Sequence, residues 1–294
     1  MNIPLAQILI GTFVLGSLYA VVGVGFVILF RSTGVVNLAQ GGFMVLSAYI
    51  FYALVVAAKQ PFVLAVVITL VLLAIAGVAI YVLLFRRLVG ADPFVLVIAT
   101  LGLSVLIEVI VQIIWGPEIR TLPQLLGDKP LAELGGGFRI ATLDVFSVGL
   151  AAVLIVGLEL GLQRTRLGIR MRAVADAPLL AALNRVDVHW MSALAWGIAA
   201  VCASAAGMAY ALRTSVDAVG LNSLGLLAFP AVLIGGMDSI RGALVGGILL
   251  AFAQNLVIMA VGGAWQDPIA YIILLIVLLV RPRGLFGTRE VVRV

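Results

Sequence analysis

Apolar segments long enough to cross a lipid bilayer run through almost the whole chain, and they constrain its fold more than any other feature. A membrane-spanning helix needs about 20 predominantly apolar residues. We expect nine such spans, near residues 5–30, 36–57, 62–85, 94–115, 143–163, 189–212, 222–237, 240–263 and 266–280. Because the bilayer core offers no water to backbone groups, spans of this kind must be helical. The sequence therefore predicts an all-α, polytopic membrane helix bundle, with eight spans as the alternative count.

Two of these spans, the seventh and the ninth, are short, which is typical of broken or partly re-entrant helices. The composition supports the same fold class, since 64% of the 294 residues are hydrophobic and 11% are charged, whereas soluble domains have about 25% charged residues. We treat 1–294 as a single transmembrane domain.

A net charge of +5 does not indicate nucleic-acid binding, because the arginines lie at span ends. Cys202 is the only cysteine, so neither an intrachain disulfide nor a cysteine metal site is expected.

The lysines and arginines are distributed unequally between alternate loops. If 164–188 is cytoplasmic and nine spans alternate, 13 of the 18 Lys and Arg residues lie inside and 5 lie outside. Cytoplasmic loops carry such an excess, so we expect the C-terminus inside and the N-terminus outside. The external loop 116–142 contains three prolines and a Gly run, which predicts a turn-rich connector or a landing surface for an external protein.

The longest polar interruption on the inner side is 164–190, with five arginines and two aspartates. A short helix is expected at 177–183, capped by Asp176 and with Pro178 in its first turn. Such a short, Ala/Leu-rich helix is not stable alone in water. Two interpretations remain: a helix that inserts into a groove on another protein, or a cytoplasmic loop that follows the charge bias.

An internal echo links two places in the chain. RSTG at 31–34 is followed by Asn37, and RTS at 213–215 is followed by Asn222. With nine spans, the first span runs inward and the sixth runs outward, so the echo predicts an inverted repeat around the fifth span. Inverted repeats are typical of transporters, whose interrupted helices hold the substrate path near the midplane.

The repeat halves would be about 5–115 and 189–281. Uncharged polar residues and glycines near the two echoes are the candidate path residues, namely Asn37, Gln40, Gly41, Gly42, Asn222 and Ser223. Unpaired polar groups are costly in lipid, so these side chains should face protein or a water-filled cavity. Interhelical hydrogen bonding and helix capping are the alternative interpretation of each residue.

Glu108 is the one clearly intramembrane acid. Charges at such positions are expensive and often functional, but Glu108 lies two turns before Trp115 and could instead reach the outer headgroups or stay protonated. Phosphate-loop, zinc-protease and nucleophile-elbow motifs are missing from the sequence. We therefore expect no enzymatic activity, and a transporter built this way needs an external source of energy.

Four segments together resemble a known family: GSLYAVVGVGFVILFRSTGVVNLAQGGFMVLSAY at 16–49, RTRLGIRMRAVADAPLLAALNRVDV at 164–188, FPAVLIGGMDSIRGALVGGILLAFAQNL at 229–256 and LLVRPRGLFG at 278–287. The chain resembles the inner-membrane permease subunits of bacterial branched-chain amino acid ABC importers, and is most similar to the first of their two paralogous permeases. The resemblance places the segment 37–42 at a discontinuity near the translocation path. It carries no role onto Glu108.

The resemblance also implies partners. These are a second paralogous permease, two cytoplasmic ATPase subunits that bind the ATP, and a periplasmic solute-binding protein, with no cofactor on this chain itself. The segment 168–188 would supply the coupling helix. The residues expected to contact the ATPases are Gly168, Arg170, Arg172, Asp176, Ala181 and Leu183.

Other functions stay open at the level of the sequence. Members of the same family import urea, short amides or small organic acids, so the solute is undetermined. A self-sufficient secondary transporter or channel is the alternative of another class. The sequence lacks the train of intramembrane carboxylates and arginines that a proton-driven pump would use, which argues against that alternative.

Overall fold

The computed structural model describes residues 5–123, 130–134 and 138–287. Within these ranges the chain is a helical bundle with one short pair of strands. The helices are α1 (Leu5–Thr33), α2 (Gln40–Tyr52), α3 (Phe62–Leu83), α4 (Pro93–Trp115), α5 (Thr142–Arg164), α6 (Arg166–Asp176), α7 (Pro178–Leu183), α8 (Val188–Arg213), α9 (Ala218–Gly235), α10 (Ile240–Ala260) and α11 (Gln266–Val280). The strands are β1 (Pro130–Leu134) and β2 (Phe138–Ala141).

Nine helical segments in the described ranges are long and apolar enough to cross a membrane, as predicted. The seventh, α9, begins at Ala218 rather than at residue 222 and is one continuous helix to Gly235, although it contains Pro230. A π-helical turn, Ala53–Ala57, extends α2 to spanning length. A short 3₁₀ turn, Gly263–Trp265, does the same for α11.

Helices α1 and α8 form the centre of the bundle, and most of each span is buried. Helix α1 packs most extensively against α10, and α8 packs most extensively against α3. Glycines permit both contacts: a Cβ on Gly247 would lie 2.8 Å from the Gly16 carbonyl oxygen, and one on Gly77 would lie 2.6 Å from the Trp196 carbonyl oxygen. Small residues of this kind let helix backbones approach closely in a membrane.

The chain re-enters the bundle between α1 and α2. Helix α1 ends at Gly34, whose φ of 68° is the left-handed conformation favoured at helix C-termini. The following segment carries Val35, Asn37 and Ala39, which are all buried. Helix α2 then begins at Gln40, opposite the midpoint of α4. Its N-terminus therefore lies deep inside the bundle rather than at its surface.

Helices α6 and α7 lie together at one end of the bundle, which we call the α6–α7 end. Thr165 caps α6, since its hydroxyl oxygen accepts a hydrogen bond from the Gly168 N–H at 3.1 Å. The prediction that Asp176 caps α7 is wrong, because Asp176 is the last residue of α6 and the N-cap of α7 is Ala177, without a side-chain cap. A residue before proline is driven out of the helical region, and Ala177 has φ −153° and ψ 84°.

The segment 116–142, expected to be rich in turns, also contains the antiparallel strands β1 and β2. The sequence did not reveal these strands, because each is only four or five residues long. Residues 124–129 and 135–137 lie outside the described residues. Arg120 and Val216 exchange two backbone hydrogen bonds, so the start of this segment is tied to the loop before α9.

The chain after α11 returns to the end of α9. The Leu285 N–H donates to the Ile234 carbonyl and the Phe286 N–H donates to the Gly235 carbonyl, each at 2.9 Å. The last carbonyls of a helix lack partners within it. The closing segment that contributed to the family resemblance therefore caps α9 in the folded protein.

Candidate functional site

Helices α2 and α9 cross at two glycines near the middle of the bundle. A Cβ on Gly41 would lie 2.5 Å from the Asn222 carbonyl oxygen, and one on Gly225 would lie 2.6 Å from the Gly41 nitrogen. Such distances leave no room for a side chain. The crossing therefore brings the first turn of α2 against the first turns of α9.

A chain of hydrogen bonds connects α2, α4 and α9 at this crossing. The Gly42 N–H donates to Ser104 Oγ at 3.1 Å, and the Ser104 hydroxyl donates to Asn222 Oδ1 at 3.0 Å. Asn222 Nδ2 in turn donates to Glu108 Oε2 at 2.6 Å. Gln112 Nε2 donates to the other carboxylate oxygen, Oε1, at 3.2 Å. Each donor in this series of hydrogen bonds points toward the Glu108 carboxylate.

Four polar residues on α4 build its side of the site, at positions 100, 104, 108 and 112. Successive steps of four residues shift a position around the helix by about 40°. The stripe therefore winds from the buried face, where Thr100 and Ser104 are fully enclosed, to a half-buried position at Glu108 and Gln112. Sequence analysis noticed only Glu108. The signal that could have found the others is a Thr, Ser, Glu and Gln at i, i+4, i+8 and i+12 in an otherwise apolar helix.

Thr100 extends the same support to the re-entrant segment before α2. The Leu38 N–H donates to Thr100 Oγ1 at 3.1 Å. The α2 helix begins at Ala39–Gln40 without a side-chain cap of its own. Hydroxyls on α4 therefore satisfy backbone groups that a local capping residue would satisfy elsewhere.

The structure brings Gly41, Gly42 and Asn222 together, and Asn222 and Ser223 are half-buried. The side chains of Asn37 and Gln40, also predicted to lie on the path, are completely buried instead. Asn37 Oδ1 accepts a hydrogen bond from the Ala39 N–H at 3.1 Å. Asn37 Nδ2 and both amide atoms of Gln40 have no partner among the described residues.

Gln40 extends toward α1 and α8. Its Nε2 lies 2.9 Å from the position of a Cβ on Gly25, a position that also contacts Ala199 and Cys202 on α8. Gln40 thus belongs to the core between these helices. By contrast, Glu108 and Gln112 on α4 and Asn222 and Ser223 on α9 are only half-buried.

The residues predicted to contact ATPases lie on α6 and α7. Arg170 and Asp176 are exposed, Arg172 is half-buried, and Gly168 is buried against the Leu162 backbone. On α7, Ala181 faces the bundle and is 4% exposed, whereas Leu183 is 74% exposed. Leu179 and Leu180 are also exposed, so three leucines form the outward apolar face of α7.

A cleft of about 890 Å³ opens at the α6–α7 end. It is lined by the ends of α1, α6, α8 and α9 and by the chain after α11. Its charged and titratable lining residues are Arg31, Tyr81, Asp176, His189, Asp238 and Arg283. Among the described residues, no group of three or more His, Cys, Asp or Glu side chains could hold a metal ion.

A bundle of membrane-spanning helices with a polar cluster between them is an arrangement found in membrane transport proteins. Residues 8–279 match the sequence model of the family described as branched-chain amino acid transport system / permease component. The chain belongs to that family, which consists of transport permease subunits and not of enzymes.

Curated relatives match over nearly their whole length. The high-affinity branched-chain amino acid transport system permease protein BraD of Pseudomonas aeruginosa is 28% identical, over 98% of this chain and 97% of the relative. LivH of Escherichia coli, described in the same words, is 25% identical over 95% of this chain and 94% of its own. A probable branched-chain amino acid transport permease protein LivH of Methanocaldococcus jannaschii is 26% identical over 96% and 92%.

Proposed function

We propose that the chain is the permease subunit of an ATP-driven ABC importer for branched-chain or other amino acids. It forms half of the translocation path and couples to cytoplasmic ATPases. The observation that carries the proposal is the end-to-end match to permeases whose names specify branched-chain amino acids. The fold supports it, because α6 and α7 present a separate projection at one end of the bundle.

The outward face of α7 supports docking of an ATPase. Leu179, Leu180 and Leu183 are between 60% and 75% exposed at an end of the bundle that is rich in arginine. Exposed apolar side chains gain free energy when a partner removes them from water. Ala181 holds the other face of α7 against the bundle, so the short helix is presented as a fixed ridge.

The half-buried polar face of α4 and α9 supports a second permease as partner. Glu108, Gln112, Asn222 and Ser223 are half-buried on helices whose exposed residues are largely apolar. Polar groups inside a membrane face protein or a water-filled cavity rather than lipid. A paralogous permease placed against this face would cover it and complete the path.

The inverted repeat is supported by the way the helices pair. Contacts between α1 and α10 and between α8 and α3 connect the first span with the eighth and the sixth with the third. These pairs are equivalent if the halves are 5–115 and 189–281. The crossing of α2 and α9 at Gly41 and Gly225 lies where the axis relating the halves would pass.

The Lys/Arg asymmetry supports a bacterial inner membrane location with the α6–α7 end and the C-terminus in the cytoplasm. The opposite end, with the loops that contain Arg120 and Val216, would then receive a periplasmic solute-binding protein. The polybasic end would interact with anionic lipid headgroups of the inner leaflet.

The test is reconstitution of this chain with its cognate permease, ATPases and binding protein in proteoliposomes. We expect ATP-dependent uptake of leucine, and Leu183→Glu should abolish co-purification of the ATPases while leaving the permease folded. Val89→Glu is the matched control, since Val89 is 61% exposed beside the cleft but lies outside α7. Wild-type co-purification of ATPases with Leu183→Glu would contradict the docking assignment.

The same system separates the alternative functions. Uptake by this chain alone, driven by an ion gradient, would establish a secondary transporter or channel. Thermal-shift measurements on the cognate binding protein with leucine, urea, a short amide and a small organic acid would identify the solute class.

A further inference from the structure

The Glu108 carboxylate has unused capacity to accept hydrogen bonds. A carboxylate offers about four lone-pair positions. Asn222 Nδ2 and Gln112 Nε2 each occupy one. The ion pairs among the described residues are Asp144–Arg213 and Glu159–Arg241, so Glu108 has no cationic partner in that part of the chain.

Within the described ranges, the Glu108 carboxylate accepts hydrogen bonds from neutral amide donors only. The hydrogen-bond chain from Gly42 through Ser104 and Asn222 delivers donors only, and it begins at a first-turn N–H of α2. The N-terminus of a helix carries a partial positive charge. These hydrogen bonds thus link the positive end of α2 to the carboxylate. They supply no full positive charge to balance the negative charge of the carboxylate.

The carboxylate is also accessible. Glu108 and Asn222 are both half-buried, so neither side chain is sealed inside the bundle. A carboxylate inside a membrane without a fixed counter-charge is costly, and a mobile cationic group that reaches Glu108 would remove that cost.

We propose that the Glu108 carboxylate binds the ammonium group of the solute during its passage, with Asn222 positioning the carboxylate. This inference rests on the proposed function and deepens it, since it defines the solute as one that carries a cationic nitrogen. Zwitterionic amino acids satisfy this requirement. Organic acids do not, because their anionic group would be repelled, and urea and neutral amides do not, because they lack the positive charge.

A purely structural role is the competing explanation, in which the Asn222–Glu108 hydrogen bond only joins α9 to α4. Glu108→Gln separates the two, because a glutamine side chain can keep a hydrogen bond to Asn222 while the negative charge is lost. Glu108→Asp keeps the charge on a shorter side chain. The matched control is Glu118→Gln, the same change at an exposed residue in the loop after α4.

The experiment measures leucine uptake, ATP hydrolysis and thermal stability of the complete importer in proteoliposomes. We expect Glu108→Gln to lower uptake by about tenfold or more, the size of a lost charge-assisted hydrogen bond. Binding-protein-stimulated ATP hydrolysis and the melting temperature should stay at wild-type values, so the number of leucines imported per ATP falls. Glu108→Asp should recover part of that ratio, and Glu118→Gln should match the wild type.

Two results would overturn the inference while leaving the proposed function intact. One is wild-type uptake per ATP by Glu108→Gln. The other is loss of assembly or a large fall in melting temperature for Glu108→Gln, since that would assign the charge a structural role. If the wild-type complex imports no amino acid with ATP, the proposed function fails, and the inference fails with it.

Discussion

The two segments that precede α2 and α9 carry the same sequence echo but are held in opposite ways. Residues 34–39 are threaded into the bundle, and hydroxyls on another helix bind the backbone before and within the first turn of α2. Residues 214–217 lead into a helix start that is capped by a residue of its own. Asp217 accepts hydrogen bonds from the Val219 and Gly220 N–H groups at 3.2 and 2.9 Å, and Val216 pairs with Arg120.

The side chains of the two echo segments also differ in how fully they are paired with other residues. Arg213 forms an ion pair with Asp144, whereas Arg31 is exposed beside the cleft. Asn222 uses both its amide atoms in hydrogen bonds, whereas Asn37 Nδ2 has no partner among the described residues. The second half therefore caps the backbone of its helix start with its own Asp217, whereas the first half relies on hydroxyls of α4 for this purpose. We expect movement of α4 to affect α2 directly.

The largest effect should come from the glycine at which the two helix starts meet. Gly41→Ala would place a Cβ 2.5 Å from the Asn222 carbonyl oxygen, and overpacking of this kind costs about 1–3 kcal/mol. We expect a marked fall in the melting temperature of the purified protein. Gly102→Ala is the control, since no atom lies within 4 Å of the added Cβ. Equal stability of the two variants would show that the crossing is looser than described.

Because the start of α2 depends on α4, we expect removal of the Ser104 hydroxyl and removal of the Asp217 cap to lower stability by different amounts. Ser104→Ala leaves the buried Gly42 N–H and Asn222 Oδ1 unpaired, which costs about 1–3 kcal/mol. Asp217→Ala removes a cap from a more exposed helix start, where water can replace it, and should cost about 1 kcal/mol. Thermal unfolding in detergent would check the order. A larger loss for Asp217→Ala would reverse the comparison.

A smaller difference is expected between the two arginines of the echo. Arg213→Ala removes the partner of Asp144, and because Arg213 is one-third exposed we expect a loss of about 1 kcal/mol. Arg31→Ala changes an exposed side chain and should alter stability by no more than about 0.5 kcal/mol. Chemical denaturation of both variants would measure this, and equal losses would mean that the ion pair contributes nothing.

The smallest change in stability that we expect is a slight gain rather than a loss. Gln40→Met replaces a buried amide that has no partner among the described residues with an apolar side chain of similar length. Leaving a buried polar group unpaired is unfavourable, so the melting temperature should be unchanged or slightly raised. A clear decrease would show that the Gln40 amide is hydrogen-bonded, for example to a buried water.

The spans were predictable because backbone groups in lipid must be satisfied within each segment, so length and hydrophobicity alone define a helix. The start of α7 was not predictable in the same way. Asp176 is a good capping residue in isolation, but the Pro178 ring places the break between α6 and α7 at Ala177. Gly41, Gly42 and Asn222 were selected from the echo as candidate path residues, but the sequence did not show that they contact one another. Thr100, Ser104 and Gln112 were missed: their spacing marks a polar stripe on α4, but the sequence does not say which helices pack against that stripe.

The sequence by itself determined the helical class, the number of spans, the family and the position of an intramembrane acid. Each of these follows from local hydrophobicity or from ordered motifs along the chain. Only the tertiary structure decided which polar residues share a site: Asn37 and Gln40 are enclosed in the core, whereas Ser104, Asn222 and Glu108 meet across more than 100 residues of chain. Contacts between helices depend on their rotation and crossing, and those are set by close glycine packing that involves the whole bundle.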